Sequence, residues 1–297
     1  EGGLKGFLTP GLFFEELGMR YLGPIDGHDF DEMKRVFDSV KNMNTPVLVH
    51  VFTKKGKKSL KAESDSTKYY SMSGNISTGN NGIGYSKILG NTLLKLAQKK
   101  DNFKCVTAAM EIGTGISEFC KQYPKRYIDV GIAESHAITY ASGLAIQNII
   151  PVVPIYSTFM QRAYDHIMHD ILLQKLPIVL CMDRAGLVGP DGPTHHGVFD
   201  ISMLNSLPGI IITAPKNGSE LANLVYTGIL SGSAFAIRYP KAKCLEYDVN
   251  IEPKMIEVGS WEKLEYGNKI AILAVGSMVK IAQESIAILE QKLSQKI

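Results

Sequence analysis

Long apolar runs are missing from this chain of 297 residues. None approaches the roughly 20 consecutive apolar residues that a membrane-spanning helix needs, so no membrane association is expected. Cysteine is scarce: Cys105, Cys120, Cys181 and Cys244 are scattered, with no C-x-x-C spacing. That excludes a disulfide framework and a cysteine zinc site, and reads as reduced, buried thiols. No basic block occurs either. Lys and Arg number 32 against 29 Asp and Glu, a net charge of +3, so no nucleic-acid partner is implied. The chain also lacks an initial Met and any signal or transit segment. Glu1-Gly2-Gly3 therefore reads as the opening of a portion of a longer protein, without its targeting segment. What remains is ordinary globular composition, 45% hydrophobic and 21% charged, in a length that suggests about two domains.

Periodicity organises the rest. Apolar residues at Met33, Val36, Phe37 and Val40 predict a helix over 31–41, and the β-branched run from Pro46 to Phe52 predicts a buried strand. One helix and one strand make no core, so residues 1–56 are expected to be the C-terminal end of a larger α/β domain. Residues 57–82 are polar, aperiodic and rich in Gly, Ser, Asn and Lys, which reads as a flexible linker. Over 83–245, strands at 103–110, 127–131, 149–156, 177–183, 209–214 and 234–239 alternate with helices at 85–99, 134–147, 159–174 and 218–230. This alternation predicts an α/β domain whose parallel sheet is covered on both faces. Residues 246–297 hold one more strand-like run, Lys269 to Gly276, and a terminal helix. They read as the incomplete start of a third α/β domain.

Chemistry concentrates where strands end, which is where open α/β sheets bind ligands. Glu134 follows a strand and Gly131 and begins a helix rich in small residues. It is either a first-turn acid complementing the helix dipole or a carboxyl in a tight site, sharing a proton with a ligand nitrogen. At the next junction Tyr156 and Phe159 are either core aromatics or rings that stack on a flat ligand, and Arg162 suits a phosphate or carboxylate. His166 and His169 share a helix with Asp165 and Asp170. They lack the spacing of a metal pair and read as structural. The loop from Arg184 to Asp200 is the densest site: Gly186, Gly189, Gly192 and Gly197 with Pro190 and Pro193 bend it, and Arg184, Asp191, His195 and His196 load it. No third ligand accompanies the two histidines, so proton transfer or substrate hydrogen bonding is expected there rather than a metal. Arg238, ending the last strand of the domain, would join Arg184 in a clamp for one phosphate.

Six ordered segments carry a resemblance: G-P-I-D-G-H-D (23–29), T-K-K-G (53–56), D-V-G-I-A-E-S-H-A (129–137), I-Y-S-T-F-M-Q-R-A-Y-D (155–165), D-R-A-G with D-G-P-T-H-H-G (183–197), and R-Y-P (238–240). With them the chain resembles the 1-deoxy-D-xylulose-5-phosphate synthase family of transketolase-like, thiamin-diphosphate-dependent enzymes, outside 57–82. The resemblance implies a thiamin-diphosphate-binding fold: a parallel-sheet pyrimidine-binding domain flanked by the tail of a diphosphate-binding domain and the start of a C-terminal transketolase-type domain. It implies that Glu134 bonds the aminopyrimidine and promotes formation of the ylide. Ile132 would be the apolar wedge under the bent cofactor, Phe159 the ring stacked on the pyrimidine, and Arg162 a near neighbour. Tyr156, Arg184 and Arg238 would surround the acceptor and its phosphate, with Asp191 and His195 lining the channel and His28 near the reacting carbon. The implied reaction condenses pyruvate with D-glyceraldehyde 3-phosphate, losing carbon dioxide, as the first step of non-mevalonate isoprenoid synthesis. A homodimer is implied.

The family's G-D-G…N motif for diphosphate and magnesium does not occur here. The Mg2+ ligands are expected in an N-terminal diphosphate-binding portion, none in this chain. Two other readings stay open: a ketoacid-dehydrogenase β-type chain, against which residues 23–52 speak, and an inactive regulatory fragment. The Lys/Asn/Ile-rich linkers suggest an apicomplexan source and hence a plastid (apicoplast) location, otherwise the cytoplasm.

Overall fold

The computed structural model describes residues 11–66, 69, 82–244, 247–267 and 270–293. Backbone contacts divide it into two units, 1–78 and 79–297. In the first, helix Leu12–Glu16 is followed by β1 (Arg20–Asp26), helix Phe30–Val40 and β2 (Val47–Phe52). β1 and β2 pair in parallel, so the intervening helix is the crossover of a βαβ unit. Asp29 caps that helix, accepting from the Glu32 N–H at 2.9 Å, a bond worth about 1 kcal/mol. Sequence reading missed β1 because Gly23-Pro24 interrupts it like a turn. The strand accommodates the pair by a shift of register between Leu22 and Ile25. Part of the stretch read as linker is regular: Leu60–Ser64 is a short helix whose Glu63 accepts from the Lys58 N–H at 2.9 Å and pairs with Lys54. The local charge pattern, rather than apolar periodicity, holds it. Residues 67–68 and 70–81 of that stretch lie outside the described residues.

The second unit contains β3 (Ile83–Gly84), β4 (Phe103–Thr107), β5 (Tyr127–Asp129), β6 (Ile150–Tyr156), β7 (Ile178–Asp183), β8 (Ile210–Thr213), β9 (Ala234–Arg238) and β10 (Lys243–Cys244). Six of these form one sheet in the order β5-β4-β6-β7-β9-β8, every pairing parallel, while β3 and β10 make a small antiparallel ribbon. Helices Tyr85–Ala97 and Gly218–Ser231 cover one face through Ile88, Leu89, Leu93, Leu221 and Val225. Helix Glu134–Ile146 and the segment from Ser157 to Leu172 cover the other through Ala137, Ile138, Ala141, Met160, Ile167 and Ile171. Every residue of β7 is buried, as a central parallel strand requires. All four cysteines are buried and unbridged.

Two expectations fail locally. The single helix foreseen over 159–174 instead starts at Ser157, turns 3₁₀ at Gln161–Ala163 and ends as a π-helical stretch, Ile167–Leu172. Ser135 Oγ donates to the Arg162 carbonyl at 2.8 Å, within the 3₁₀ turn itself. The strand foreseen from Lys269 to Gly276 does not form over 270–275, where no ladder partner lies among the described residues. Apolar content alone cannot make a strand without a neighbour. Short helices at Ser117–Gln122 and Asp200–Asn205 escaped sequence reading.

Chain order places the site. From β4 the chain moves outward to β5, then returns to β6 on the other side of β4. Loops leaving β4 and β6 therefore diverge, and a crevice opens at the carboxyl ends of the two strands.

Candidate active site

Tyr156 closes β6 and spans that crevice. Its hydroxyl rests on the loop after β4, where a Cβ added to Gly113 would lie 1.7 Å from it, so only glycine fits there. Burial pushes the Tyr156 phenol up, which keeps it neutral and able to donate. Arg184, the residue after β7, stacks on the same ring with its guanidinium carbon 3.8 Å from the centroid. Its backbone is left-handed at φ 60°, and its Nη1 donates to the Gly113 carbonyl at 2.6 Å. Asp183 beside it is fully buried. Ser86 Oγ donates to Asp183 Oδ2 at 2.7 Å, and Arg184 Nη1 stands 3.0 Å from Oδ1.

On the other side of Tyr156 runs a second chain of contacts. The Tyr156 and Phe159 rings stack at 5.8 Å, and His195 meets Phe159 edge-on at 5.4 Å. The Arg162 guanidinium lies 5.1 Å from the Phe159 centroid, and its Nη1 donates to Glu134 Oε1 at 2.8 Å. Glu134 begins its helix 2% exposed, whereas Ile132, two residues earlier, is 81% exposed. The Arg162 guanidinium thus links the buried Glu134 carboxylate to the Phe159–Tyr156 pair.

The loop from Arg184 to Asp200 is closed at its base. Gly186 and Gly197 exchange N–H···O bonds of 2.7 and 2.8 Å. A Cβ on Gly197 would lie 2.4 Å from Ser157 Oγ, which again demands glycine. At the far end Lys241 Nζ donates to Asp191 Oδ1 at 2.5 Å and holds that carboxyl below the usual range, with Arg184 and His195 adding smaller pulls. His196 Nδ1 accepts from the Val188 N–H at 3.1 Å and so braces the loop. His195 Nδ1 meets Thr194 Oγ1 at 2.9 Å, leaving Nε2 for another partner.

Arg238 ends β9 alongside β7. Its Nε donates at 2.8 Å to Asp200 Oδ2, which also accepts from Ser157 Oγ at 3.0 Å. The structure therefore gathers Glu134, Arg162, Phe159, Tyr156, His195, Asp191, Arg184 and, through Ser157, Arg238 at one edge of the sheet. Ile132 stands beside Glu134 in sequence, on the exposed lip. His28 belongs to the first unit, where its Nε2 accepts from the Lys54 N–H at 2.7 Å. His169 pairs with Asp165 at 2.9 Å on the helix surface. Sequence reading missed Ser86, Gly113, Asp183, Asp200 and Lys241. The E-I-G-T-G string after β4 was the available signal, being one more glycine-broken loop at a strand end. The apolar hollow lined by Trp261, Leu264, Ile272 and Ile286 contains none of these residues. Among the described residues no group of three or more His, Cys, Asp or Glu side chains could hold a metal ion, and no helix is long and apolar enough to cross a membrane.

Residues 81–245, which include the whole strand-end cluster, match the model of the transketolase pyrimidine-binding domain. The chain belongs to that family. Residues 1–53 match the model of 1-deoxy-D-xylulose-5-phosphate synthase. The enzyme of that name from Aquifex aeolicus is 48% identical over 280 residues, covering 92% of this chain and 44% of the relative. Its counterpart from Dictyoglomus thermophilum is 46% identical over 291 residues, covering 98% and 47%. The chain thus spans about half the length of these relatives. Both are bacterial, and neither supports the apicomplexan source suggested by the linkers. Among solved structures, a split-gene transketolase described as an inactive β4 tetramer matches with a TM-score of 0.63 at 25% identity, over 71% of this chain and 69% of the other. A transketolase from Campylobacter jejuni has the same fold, with a TM-score of 0.61 at 17% identity over 95% of this chain and 56% of its own.

Proposed function

We propose that this chain carries the pyrimidine side of the active site of a 1-deoxy-D-xylulose-5-phosphate synthase, which joins pyruvate to D-glyceraldehyde 3-phosphate with loss of carbon dioxide. The supporting observation is the buried Glu134 carboxylate, joined through Arg162 to an aromatic pair at the same end of the sheet as Arg184. The residues present fit the aminopyrimidine end of thiamin diphosphate: a buried acid for a ring nitrogen, Phe159 for the ring face and Ile132 as an apolar support. Bound thiamin diphosphate supplies the carbon nucleophile and the electron sink for decarboxylation. Nothing in the cluster suits a diphosphate–magnesium group, and we place Mg2+ on the diphosphate-binding portion of the enzyme.

Within this frame Glu134 holds a proton at the pyrimidine nitrogen, and Arg162 is the partner from which that carboxylate must be released. Tyr156 donates its neutral hydroxyl to the acceptor. Arg184 and Arg238 hold the acceptor phosphate, since a guanidinium offers two parallel donors to such oxygens. Asp191 lines the channel, and His195 exchanges a proton through Nε2 with the bound acceptor. The exposed apolar residues Ile112, Ile132, Leu187 and Phe199 suit burial against a second subunit in a homodimer. The match over residues 1–53 favours this reading over a ketoacid-dehydrogenase β-type chain.

Carbon dioxide release from pyruvate tests it, measured on the complete enzyme with thiamin diphosphate and Mg2+, with and without D-glyceraldehyde 3-phosphate. Release that rises with the aldehyde is expected. Release indifferent to the aldehyde, or none with both substrates, overturns the assignment.

A further inference from the structure

Two arginines at neighbouring strand ends each pair with a buried aspartate that also accepts a serine hydroxyl, Arg238 by a hydrogen bond and Arg184 by a charge contact at 3.0 Å. Asp183 takes Ser86 and Arg184; Asp200 takes Ser157 and Arg238. Burying a carboxylate is strongly unfavourable unless its partners are fixed and close. A carboxylate with no exposed surface at the end of β7 is therefore not a space-filling choice; an apolar residue would pack there without penalty.

The Asp183 group also restrains the Arg184 guanidinium. Nη1 is engaged by the Gly113 carbonyl and the Asp183 carboxylate, and Tyr156 covers one face of the guanidinium. Nε is buried and, like Asp183 Oδ1, has no hydrogen-bond partner, so the guanidinium keeps donor capacity of the kind that recognises phosphate oxygens. We propose that Asp183, braced by Ser86, is a positioning residue that fixes the Arg184 guanidinium for the anionic head of the acceptor substrate and so sets the preference for a phosphorylated aldehyde. The proposal rests on the reading of Arg184 given above. Ser86 contributes from the first turn of helix Tyr85–Ala97, 97 residues away in sequence, so the orientation depends on the packing of that helix against β7.

The test compares D-glyceraldehyde 3-phosphate with unphosphorylated D-glyceraldehyde as acceptors for the complete enzyme and its Asp183→Asn, Ser86→Ala and Arg184→Ala variants. Asparagine keeps the shape and an acceptor for Ser86 but removes the charge. Asp183→Asn is expected to raise KM for the phosphorylated acceptor about tenfold and Ser86→Ala about threefold, with much smaller changes for the unphosphorylated one. Combining Asp183→Asn with Arg184→Ala should add little to Arg184→Ala alone, because both act on one group. Equal losses for the two acceptors, or no change in KM, overturn the positioning role. If Arg184→Ala itself keeps the preference for phosphate, the reading of Arg184 fails instead. Should Asp183→Asn fold poorly, Ser86→Ala, which removes one hydroxyl, carries the same comparison.

Discussion

Two acid–arginine pairs flank Tyr156, and they differ in which partner meets solvent. Glu134 and Asp183 are both buried, at 2% and 0% exposure. The Arg162 side chain is 55% exposed, whereas that of Arg184 is 11% exposed and stacked on Tyr156. Solvent can take over the Arg162 guanidinium when it swings away, as the role proposed for Glu134 requires. Arg184 has no such exit. Its ring contact and its neighbouring carboxylate belong to strand ends, and its carbonyl bond to the loop after β4. The first pair is built to open and the second to stay, which suits an acid that handles a proton and a cation that holds a ligand.

The strongest way to break this contrast is at Glu134. Glu134→Ala should lower kcat of the complete enzyme by roughly 10²–10⁴-fold, the range for losing a positioned proton-transfer group, with the circular-dichroism spectrum of the folded protein retained. Survival of full activity would remove Glu134 from the chemistry. Arg184→Ala comes next. It leaves the Asp183 carboxylate buried without its cation, which is expected to cost about 3–5 kcal/mol of stability in a chemical denaturation experiment. Arg162→Ala should cost only about 1 kcal/mol, because truncating a half-exposed side chain lets water reach Glu134. Equal losses in the two variants would show that exposure does not separate the pairs.

The fold was largely legible because βα alternation is local: each strand of the sheet and the helices Tyr85–Ala97, Glu134–Ile146 and Gly218–Ser231 fall close to their expected positions. Glu134 was legible for the same reason, as its strand–glycine–helix setting is contiguous. The members of the arginine units were not. Asp183 reads as the last residue of a strand and Asp200 as the end of a loop. Their partners Ser86 and Arg238 lie 97 and 38 residues away, so only strand order brings them together. The failures at 159–174 and 270–275 have a common cause. Periodicity and apolar content report what a segment can bury, while a helix or strand also depends on which neighbours take up its backbone hydrogen bonds.

A third pair sharpens the comparison at its weak end. Asp191 in the loop pairs with Lys241 after β9, their side chains 24% and 40% exposed, so each can be resolvated if separated. Lys241 holds the Asp191 carboxyl below its ordinary value, whereas burial drives that of Asp183 upward. The two aspartates therefore couple to pH with opposite signs. A depressed carboxyl stabilises the fold above its unfolded pKa of about 3.9 and loses that contribution as the pH falls through the folded value. A raised one does the reverse, and its relative contribution is lost as the pH rises through the folded value. Asp191→Asn should thus cost less than about 1 kcal/mol at neutral pH, and its denaturation midpoint should converge on that of the parent as the pH falls below about 4. A gap that persisted in acid would mean that Asp191 holds the loop through shape and hydrogen bonding rather than charge. Asp191 would then belong with the fixed Asp183 pair instead of the exchangeable one.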